Sequence, residues 1–352
     1  MPKRTEQLLE VEGKSLKVSN LEKVLYPAVG FTKGQVIDYF IRIAPYALPY
    51  LAGRPLTLKR YPNGVDGMFF YEKNCPAHRP DWVKTVPIWS EGNQKVMDYC
   101  SANDVATLVW AGNLADLEWH TSLSLAADMD HPTMLVFDLD PGEPANVVQC
   151  CQVGMWLKHL FDQMKLTSFA KTSGSKGLKV YVPLNGKRET YDATKPFAHA
   201  LARLLEEAHP ELVVSDMKKS LRAGKVLVDW SQNDQHKTTV NVYSLRAKER
   251  PTVSTPVTWE EVEQCFNKKN PKLLVFESGD VLRRCEKMGD LFAPVLELKQ
   301  RLPALDTIEA ESPALRKKAH SPRRAKTSAP VVASSTSKTG TKPRAASKRK
   351  TG

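Results

Sequence analysis

The sequence predicts an α/β (α+β) body, with central β-sheets flanked by helices, followed by a basic tail. Segments with helical and strand-like apolar spacing alternate over most of the 352 residues, as in mixed α and β domains. Residues 312–352 contain twelve Lys and Arg but no Asp, Glu, Phe, Trp or Tyr, a composition that cannot form a hydrophobic core. We therefore expect one folded body over residues 1–306 and a disordered basic tail over residues 307–352.

The formal net charge of +12 lies entirely in this tail, because the Lys and Arg of residues 1–311 are balanced by an equal number of Asp and Glu. A flexible basic segment binds polyanions without sequence preference by releasing counterions. We expect the tail to bind nucleic acid in this way. The alternative is a tail that only improves solubility.

The chain shows no sign of export or membrane insertion. No apolar run approaches the length of about 18 residues that a membrane span needs, and the N-terminus has no apolar signal-peptide core. We therefore expect a cytoplasmic protein with no membrane partner. The six cysteines form no C-x-x-C pair, and Cys150 and Cys151 are adjacent, so we expect six free thiols in a reducing compartment.

The first clear element is a helix that begins after a capping box at Thr32 to Gln35. It is predicted over residues 33–44, and Pro45 is expected to interrupt or kink it. Short β-rich apolar runs predict strands, at 134–139, 178–184, 225–230 and 238–245. Helical spacing predicts further helices, at 146–165, at 194–208 and from a second capping box at Thr258 to about Phe266. These patterns do not predict the order of the strands.

Asp138 and Asp140, at the end of an apolar strand, give the strongest local indication of chemistry. Side chains two residues apart on a strand point to the same face, so both carboxylates project together. Paired carboxylates repel each other unless a positive group lies between them, and a hard divalent cation is the usual one. Asp229 ends another predicted strand, and three such acids suggest a two-metal site for phosphoryl or nucleotidyl transfer if the strands are neighbours. The alternative is a set of solvated acids.

A loop of small residues at 172–177 (TSGSKG) precedes the strand at 178–184 and is able to cradle an anion. Its backbone N–H groups could approach a phosphate, and Lys176 adds a positive charge. The spacing is not that of a P-loop, so the pattern alone fits a solvated turn equally well. The aromatic run at 69–71 is either core packing or a platform for an unpaired base. Basic residues that could line a phosphate-rich groove, or simply form solvated faces, cluster at 59–60, 218–225 and 246–250.

Taken together, these segments resemble the polymerase domain of bacterial ligase D, a member of the archaeo-eukaryotic primase superfamily that acts in non-homologous end joining. The resemblance covers roughly residues 14–300. It depends on ordered motifs, namely SNLEKVLYP (19–27), GRP and KRYPNGV (53–65), FDLDPG (137–142), TSGSKG (172–177), KSLR and DWSQN (219–233) and YSLR (243–246). It implies the primase-polymerase fold.

The resemblance also implies roles for individual residues. Asp138, Asp140 and Asp229 match the catalytic metal ligands of the family, which holds two ions, Mn²⁺ in preference to Mg²⁺. The residues implied to bind the nucleotide are Lys59, His120, Ser173, Lys176, Gln232 and Arg246. The residues implied to bind DNA are Asn20, Lys23 and Lys33 at a 5′-phosphate, Phe70 and Tyr71 on the template, and Arg222 in a loop associated with metal occupancy and synapsis.

The chain departs from the family pattern at a few points. Lys179 stands where many relatives have a histidine, and it is either an extra triphosphate contact or a solvent-facing residue. Tyr71 stands where the family usually has Phe, which makes its stacking role less firm than that of Phe70. No ligase or nuclease sequence follows the body, so we expect a stand-alone polymerase with a separate ligase.

We therefore expect a DNA-dependent nucleotidyltransferase that fills gaps and extends 3′ ends during double-strand break end joining. The family implies a preference for ribonucleotides and recognition of a downstream 5′-phosphate. The expected partners are DNA with gaps or 3′ overhangs, NTPs or dNTPs, a Ku-type protein and a separate ligase, in the bacterial cytoplasm and nucleoid.

Three alternatives stay open. The first is a primase that acts de novo, and the second is a non-catalytic DNA end-binding module. The third is a haloacid-dehalogenase-type phosphatase, which also uses a strand-borne Asp-x-Asp with Mg²⁺. In that class a Thr or Val normally follows closely, whereas Pro141 and Gly142 follow here.

Overall fold

The computed structural model describes residues 5–305, so the predicted tail at 307–352 lies outside the described residues. The strands in this range are β1–β18, in chain order Glu6–Val11, Lys14–Ser19, Val24–Tyr26, Phe31–Thr32, Leu56–Arg60, Phe70–Glu72, Thr85–Ser90, Lys95–Cys100, Asp116–Thr121, Ser124–Leu125, Asp128–Pro132, Met134–Pro141, Phe169–Thr172, Leu178–Pro183, Val213–Val214, Val226–Asp229, Thr239–Val240 and Pro256–Val257. The helices are α1–α7, in chain order Lys33–Leu51, Val105–Asn113, Val147–Gln163, Tyr191–Ala208, Trp259–Lys268, Ser278–Met288 and Pro294–Glu297. Between residues 5 and 305, no helix combines the length and the apolar character that crossing a membrane requires.

Two large sheets form the frame of the body. The acid sheet, named for its aspartate strands, has the order β15-β16-β12-β14-β13-β18. The companion sheet has the order β17-β9-β5-β8-β7, with β6 also paired to β5. Strand β12 is antiparallel to both of its neighbours, β14 and β16. The two strands predicted to carry the acids are therefore adjacent.

Strand β12 separates two hydrophobic cores by the alternation of its side chains. Leu135, Phe137 and Leu139 belong to the core that α3, α4 and α5 cover. Met134 and Val136 belong to the other core, which contains α1, α2 and the companion sheet. Successive strand residues point to opposite faces, so the even-numbered positions of β12 face the companion sheet. The acids at positions 138 and 140 continue this even-numbered series.

Helix α1 continues through two prolines, so the predicted interruption at Pro45 is wrong, whereas the alternative, a kink at Pro45, stays a prediction. The predicted capping box is present: the Thr32 hydroxyl accepts the Gln35 N–H at 3.3 Å, and the Gln35 side chain accepts the Thr32 N–H at 2.8 Å. A proline inside a helix costs about 3 kcal/mol. The helix nevertheless includes Pro45 and Pro49 and ends at Leu51, because it buries one full face against α2 and the core. Each fully buried apolar side chain contributes roughly 2 kcal/mol, which outweighs the backbone penalty.

The remaining predicted elements agree with the structure, apart from one strand. The predicted strand at 238–245 is reduced to β17, Thr239–Val240. Tyr243 has a φ of 65°, in the left-handed region, which ends the extended conformation. The second capping box, between Thr258 and Glu261, begins α5 as predicted.

Cys75 and Cys100 form a disulfide, so the prediction of six free thiols is wrong. Both cysteines are buried, and their Cα atoms lie 4.9 Å apart. The backbone N–H of Cys75 donates to the carbonyl of Asp98 at 2.6 Å, which holds the segment after β6 against β8. The spacing rule considered only C-x-x-C pairs, and sheet packing creates a proximity that this rule cannot detect. The other four cysteines are free and buried.

Candidate active site

The three predicted metal ligands share one face of the acid sheet. Asp138 and Asp229 lie directly opposite each other in the antiparallel pairing of β12 with β16. Directly opposite residues have their side chains on the same face. Asp140 lies two residues beyond Asp138 on β12 and therefore shares this face. The expectation that the two strands are neighbours is confirmed.

The close approach of these carboxylates changes their protonation. Partial desolvation and the negative charge of Asp138 raise the pKa of Asp140 to about 6. The charge of Asp229 adds to this rise, whereas Lys179 and Arg222 oppose it. Acids that repel each other in this way are stabilised when a cation binds between them.

Lys179 provides one positive group beside these acids. It lies opposite Asp138 in the pairing of β12 with β14, and its ammonium forms an ion pair with Asp138 Oδ2. The same ammonium donates to Thr239 Oγ1 at 2.9 Å. Only 4% of the Lys179 side chain is exposed. The solvent-facing alternative for Lys179 is therefore wrong, because the sheet register directs it inwards; the triphosphate contact remains a prediction.

A second lysine extends the row of charges. Lys171 lies opposite Lys179 in the pairing of β13 with β14 and is fully buried. It donates to the carbonyl of Val240 at 3.1 Å and to Ser254 Oγ at 2.5 Å. Burial and the positive charge of Lys179 lower the pKa of Lys171. Across four adjacent strands the row consists of two acids and then two bases, Asp229, Asp138, Lys179 and Lys171.

The predicted anion loop passes close to the acids. Ser173 Oγ accepts two backbone N–H groups of the loop, from Ser175 at 3.2 Å and from Gly177 at 3.0 Å, which gives the turn its shape. A Cβ on Gly177 would lie 2.1 Å from the carbonyl oxygen of Leu139, the residue between the two acids of β12. Only glycine permits this approach. The glycine therefore brings the loop and the acids together.

Glu118 organises the cations on the opposite wall, and sequence analysis missed it. Its buried Oε2 lies 3.0 Å from His120 Nε2, 3.2 Å from Lys59 Nζ and 3.4 Å from Arg246 Nε. Burial would raise the pKa of Glu118, but the hydrogen bond from His120 and the charges of Arg246 and Lys59 together lower it. Burial, with the charge of Arg246, lowers the pKa of His120 although Glu118 opposes this. An acid in the strand DLEWHT shows no sequence sign of this role.

The loop of Arg222 is attached to the end of β12. The Gly142 N–H donates to the carbonyl of Lys225 at 2.8 Å, and the Gly224 N–H donates back to Gly142 at 3.1 Å. A Cβ on Gly142 would lie 1.9 Å from the carbonyl oxygen of Arg222. The Arg222 guanidinium donates to the carbonyl of Met217 at 2.6 Å. These contacts hold the arginine at the edge of the acids.

The aromatic run forms an exposed edge beside the same site. Phe70 and Tyr71 lie on β6, with 42% and 55% of their surfaces exposed. The Tyr71 ring meets the His120 ring edge-on at 5.7 Å. Lys59 Nζ lies 4.6 Å from the Phe69 ring and 5.5 Å from the Tyr71 ring. Exposed rings supported by cations are suited to stacking on bases.

One pocket of about 640 Å³, which we call the acid pocket, collects most of the predicted site. It lies between the two sheets, and its lining includes Tyr71, His120, Asp138, Asp140, Ser173, Lys176, Lys179, Arg222, Gln232 and Arg246. Three predicted residues are not part of this lining, namely Lys59, Phe70 and Asp229. Both oxygens of the Asp229 carboxylate are bonded within its own turn, since Ser231 Oγ donates to one at 2.6 Å and the Gln232 side chain donates to the other at 2.9 Å.

The predicted 5′-phosphate residues lie together in a second pocket of about 600 Å³, which we call the lysine pocket. Asn20, Lys23 and Lys33 all line it. The Lys33 ammonium donates to the backbone carbonyl and the side-chain oxygen of Asn113, at 3.0 and 2.9 Å. Lys23 donates to the carbonyl of Pro62 at 2.6 Å. No Asp or Glu is among the described residues that line this pocket, so it favours an anion.

The donor set of the acid pocket is compatible with a divalent cation, although the acids do not form a cage. In residues 5–305, no group of three or more His, Cys, Asp or Glu side chains is arranged to hold a metal ion. Asp138 Oδ1 is nevertheless buried without a hydrogen-bond partner. Burying an unpaired carboxylate oxygen costs free energy unless a positive group binds to it. Carboxylate oxygens are the ligands that Mn²⁺ and Mg²⁺ accept readily. Asp138 and Asp140 thus fit a hard cation, and Asp229 is one strand away.

Comparisons with known proteins identify the family of this chain. A family model for the LigD primase-polymerase domain matches residues 32–292. The multifunctional non-homologous end joining protein LigD of Mycolicibacterium smegmatis is 40% identical over 282 residues, which are 80% of this chain and 36% of that protein. The bifunctional LigD of Bacillus subtilis is 31% identical over 274 residues, 78% of this chain and 43% of that protein. The chain therefore spans about a third to two fifths of the length of these relatives.

A solved structure shows the same fold. The polymerase domain of Mycobacterium tuberculosis ligase D, in complex with DNA, superposes with a TM-score of 0.74 at 37% sequence identity, covering 81% of this chain and 99% of that domain. The predicted primase-polymerase fold is confirmed, and the phosphatase and non-catalytic alternatives are excluded by the family match. The chain belongs to the LigD primase-polymerase domain family, and it is a polymerase-type nucleotidyltransferase.

Proposed function

We propose that this chain extends a primer 3′-OH on a DNA template, filling gaps and extending 3′ ends, and that it prefers ribonucleotides. One observation carries the proposal. Asp138 and Asp140 lie on the face of the acid sheet against which the anion loop at 173–177 closes, inside a single pocket. Acids that fit cations beside a loop that fits phosphates are what nucleotidyl transfer from a triphosphate requires.

We propose Mn²⁺, or Mg²⁺, as the cofactor, with two ions bound. Asp138 and Asp140 would hold them, and Asp229 would complete the set after its side chain turns from its present partners. When bound, the ions would lower the pKa of the primer hydroxyl and neutralise charge on the leaving pyrophosphate. This requirement for a cation is supported by the partnerless Asp138 Oδ1 and by the raised pKa of Asp140.

The residues around the acids would bind the nucleotide. Lys176 and Arg246, with Gln232 and Ser173, line the pocket and can donate charge-assisted or neutral hydrogen bonds to triphosphate oxygens. Since a carboxylate accepts hydrogen bonds only, the His120 Nε2–H must donate to Glu118. The neutral ring then keeps Nδ1 as an acceptor, which is suited to a sugar hydroxyl. This arrangement supports a preference for ribonucleotides.

The remaining predicted residues would bind the DNA. The lysine pocket, with Asn20, Lys23 and Lys33, would hold the 5′-phosphate at the far side of a gap. Phe70 and Tyr71 would stack on the template, and Arg222 would contact DNA beside the metal site. The support is the exposure of both rings and the absence of acids from the described lining of the lysine pocket.

The cellular role that we propose is end joining in the bacterial cytoplasm and nucleoid. The support is that the relatives are described as non-homologous end joining proteins. A Ku-type protein and a DNA ligase acting on the same ends are the partners we propose. De novo priming is the second candidate activity, because primases share this fold.

The test is extension of a fluorescent primer on a gapped duplex with Mn²⁺, comparing NTPs with dNTPs. We expect extension with both, faster with NTPs, and none when the metal is chelated. A single-stranded template without a primer is the parallel reaction, and product there would favour de novo priming. Absence of extension in the presence of Mn²⁺ would contradict the proposal.

A further inference from the structure

One contact in the acid pocket has no part in the function proposed above. The carboxylate of Asp138, a candidate metal ligand, is already paired with the ammonium of Lys179. Asp138 Oδ2 accepts from this ammonium, and only Oδ1 is without a partner in the described chain. A divalent cation and Lys179 would therefore use the same small carboxylate.

We propose that Lys179 is a built-in competitor of the divalent cation at Asp138, and that it sets the metal concentration at which the site loads. This inference depends on the proposed function, since it assumes that the acids hold a metal. The ammonium neutralises Asp138 when no metal is bound. A cation therefore stabilises these acids less than it would stabilise three unpaired carboxylates. Two positive groups at one carboxylate also repel each other.

The position of Lys171 restricts where Lys179 can move. Lys171 lies directly behind Lys179 in the row, is fully buried and carries the same kind of group. Its partners, Val240 and Ser254, fix it in place. Lys179 therefore has no favourable site deeper in the sheet. Its open direction is the acid pocket, which it lines together with Ser173.

The geometry makes Lys179 a positioning residue with a measurable signature. A lysine with a merely structural role would hold Asp138 in place, and its loss would weaken metal binding or leave it unchanged. A competitor has the opposite effect, because its loss leaves the acids with one more unbalanced negative charge. The sign of the change in metal affinity therefore separates the two roles.

The experiment measures Mn²⁺ binding to the full chain without nucleotide, by the electron paramagnetic resonance signal of free Mn²⁺. Lys179→Met keeps the length of the side chain and removes its charge, and we expect it to bind Mn²⁺ at least about tenfold more tightly than the wild type. Lys176→Met is the matched control, because it removes a charge from the same pocket but its partner is the exposed Glu143. We expect this control to stay within about threefold of the wild type.

Stability provides a second readout. Lys179→Met leaves Asp138 buried without its partner, so we expect a lower melting temperature without metal and a larger rise on adding Mn²⁺ than in the wild type. Lys179→Gln, which can still donate to Thr239, is the variant to measure if Lys179→Met does not fold. It should show the same increase in affinity.

The outcomes distinguish this inference from the proposed function. Equal or weaker Mn²⁺ binding by the Lys179 variants, with clear binding by the wild type, would overturn the inference alone. An equal increase in the Mn²⁺ affinity of Lys176→Met would also overturn the inference. The increase would then follow from the overall charge of the pocket rather than from the ion pair with Asp138. If the wild type binds no Mn²⁺, the proposed metal site itself fails, and the inference fails with it.

Discussion

The acid pocket and the lysine pocket have nearly the same volume, about 640 and 600 Å³, but they balance charge in different ways. In the acid pocket two of the lining lysines are paired with carboxylates. Lys179 is paired with Asp138, and Lys176 is paired with Glu143. The protein therefore brings both signs of charge to this pocket.

In the lysine pocket, the charged side chains of the described lining are all cations, and the acids that pair with two of them, Glu6 with Lys17 and Glu72 with Arg60, lie outside this lining. Lys33 is held by the two oxygens of Asn113, and Lys23 by the carbonyl of Pro62, all of them uncharged acceptors. A pocket with both signs is suited to a ligand that also has both, such as a triphosphate with its metal ions. A pocket with one sign is suited to an isolated anion such as a terminal phosphate. We therefore expect the two pockets to bind phosphate in different states.

We expect the strongest loss of activity from a substitution in the acid pocket. Asp140→Asn removes one candidate ligand and should lower primer extension by roughly a thousandfold, equivalent to about 4 kcal/mol of transition-state stabilisation. The fold should be retained, because this substitution removes a repulsion and Asp140 forms no ion pair in the described structure. Single-nucleotide extension assays and a melting curve measure both effects.

The lysine pocket serves as the internal control for this substitution. Affinity of the Asp140→Asn variant for a 5′-phosphorylated gap, measured by fluorescence anisotropy without metal, should change by less than about twofold, since the two pockets have separate linings. A variant that extends primers normally would remove Asp140 from the metal site. A variant that loses the phosphorylated gap would show that the pockets are not independent.

The next effect concerns the cations held by Glu118. Glu118→Gln removes the buried negative charge between His120, Lys59 and Arg246, and should lower the free energy of unfolding by about 3 kcal/mol. The KM for the nucleotide should rise roughly thirtyfold, or about 2 kcal/mol, because the cations that we expect to bind phosphate would repel each other. Urea denaturation and steady-state kinetics measure the two changes.

The matched control for Glu118 is an exposed acid of the same pocket region. Glu143→Gln breaks the ion pair with Lys176, in which both side chains are mostly exposed. Exposed pairs contribute about 0.2–1 kcal/mol, so this variant should unfold almost like the wild type. Equal destabilisation by the two substitutions would mean that Glu118 does not organise the wall.

A smaller effect is expected in the lysine pocket. Lys33→Met should reduce the preference for a 5′-phosphorylated gap over a hydroxyl gap about tenfold, since a hydrogen bond to a charged group contributes about 1.5–3 kcal/mol. Extension of the hydroxyl gap should stay unchanged. Lys17→Gln is the control, because Lys17 lines the same pocket but its side chain is 67% exposed and paired with Glu6. If the wild type binds both gaps equally, the pocket has no role in recognising the phosphate.

Much of the fold could be predicted because it depends on local signals. The capping boxes at Thr32 and Thr258 and the apolar run of β12 fix elements by nearest-neighbour chemistry. The errors concern packing between distant segments. The continuation of α1 through Pro45 depends on tertiary burial, and the bond between Cys75 and Cys100 depends on the packing of the segment after β6 against β8.

The same division applies to the acid pocket. Asp138 and Asp140 were found because alternation along one strand places them together, whereas their meeting with Asp229 required the order of the strands. Glu118 was missed although His120 lies two residues further along the same strand, because its other two partners, Lys59 and Arg246, come from β5 and from the segment after β17, which no local pattern connects to β9. Lys171 was missed because nothing in its neighbours along the chain indicates full burial.

We expect the smallest effect at the aromatic rim of the acid pocket, formed by Phe70 and Tyr71. There base stacking, rather than charge, would bind the DNA. Tyr71→Ala should weaken binding of a single-stranded template about fivefold, since base stacking contributes about 1–3 kcal/mol and Phe70 remains. Tyr71→Phe should bind like the wild type, because the ring is kept and the hydroxyl is not part of the stack. Fluorescence anisotropy with a template strand measures both. If Tyr71→Phe weakens binding as much as Tyr71→Ala, the hydroxyl rather than the ring contacts DNA. The rim of the acid pocket would then recognise DNA through polar contacts, as we propose for the lysine pocket.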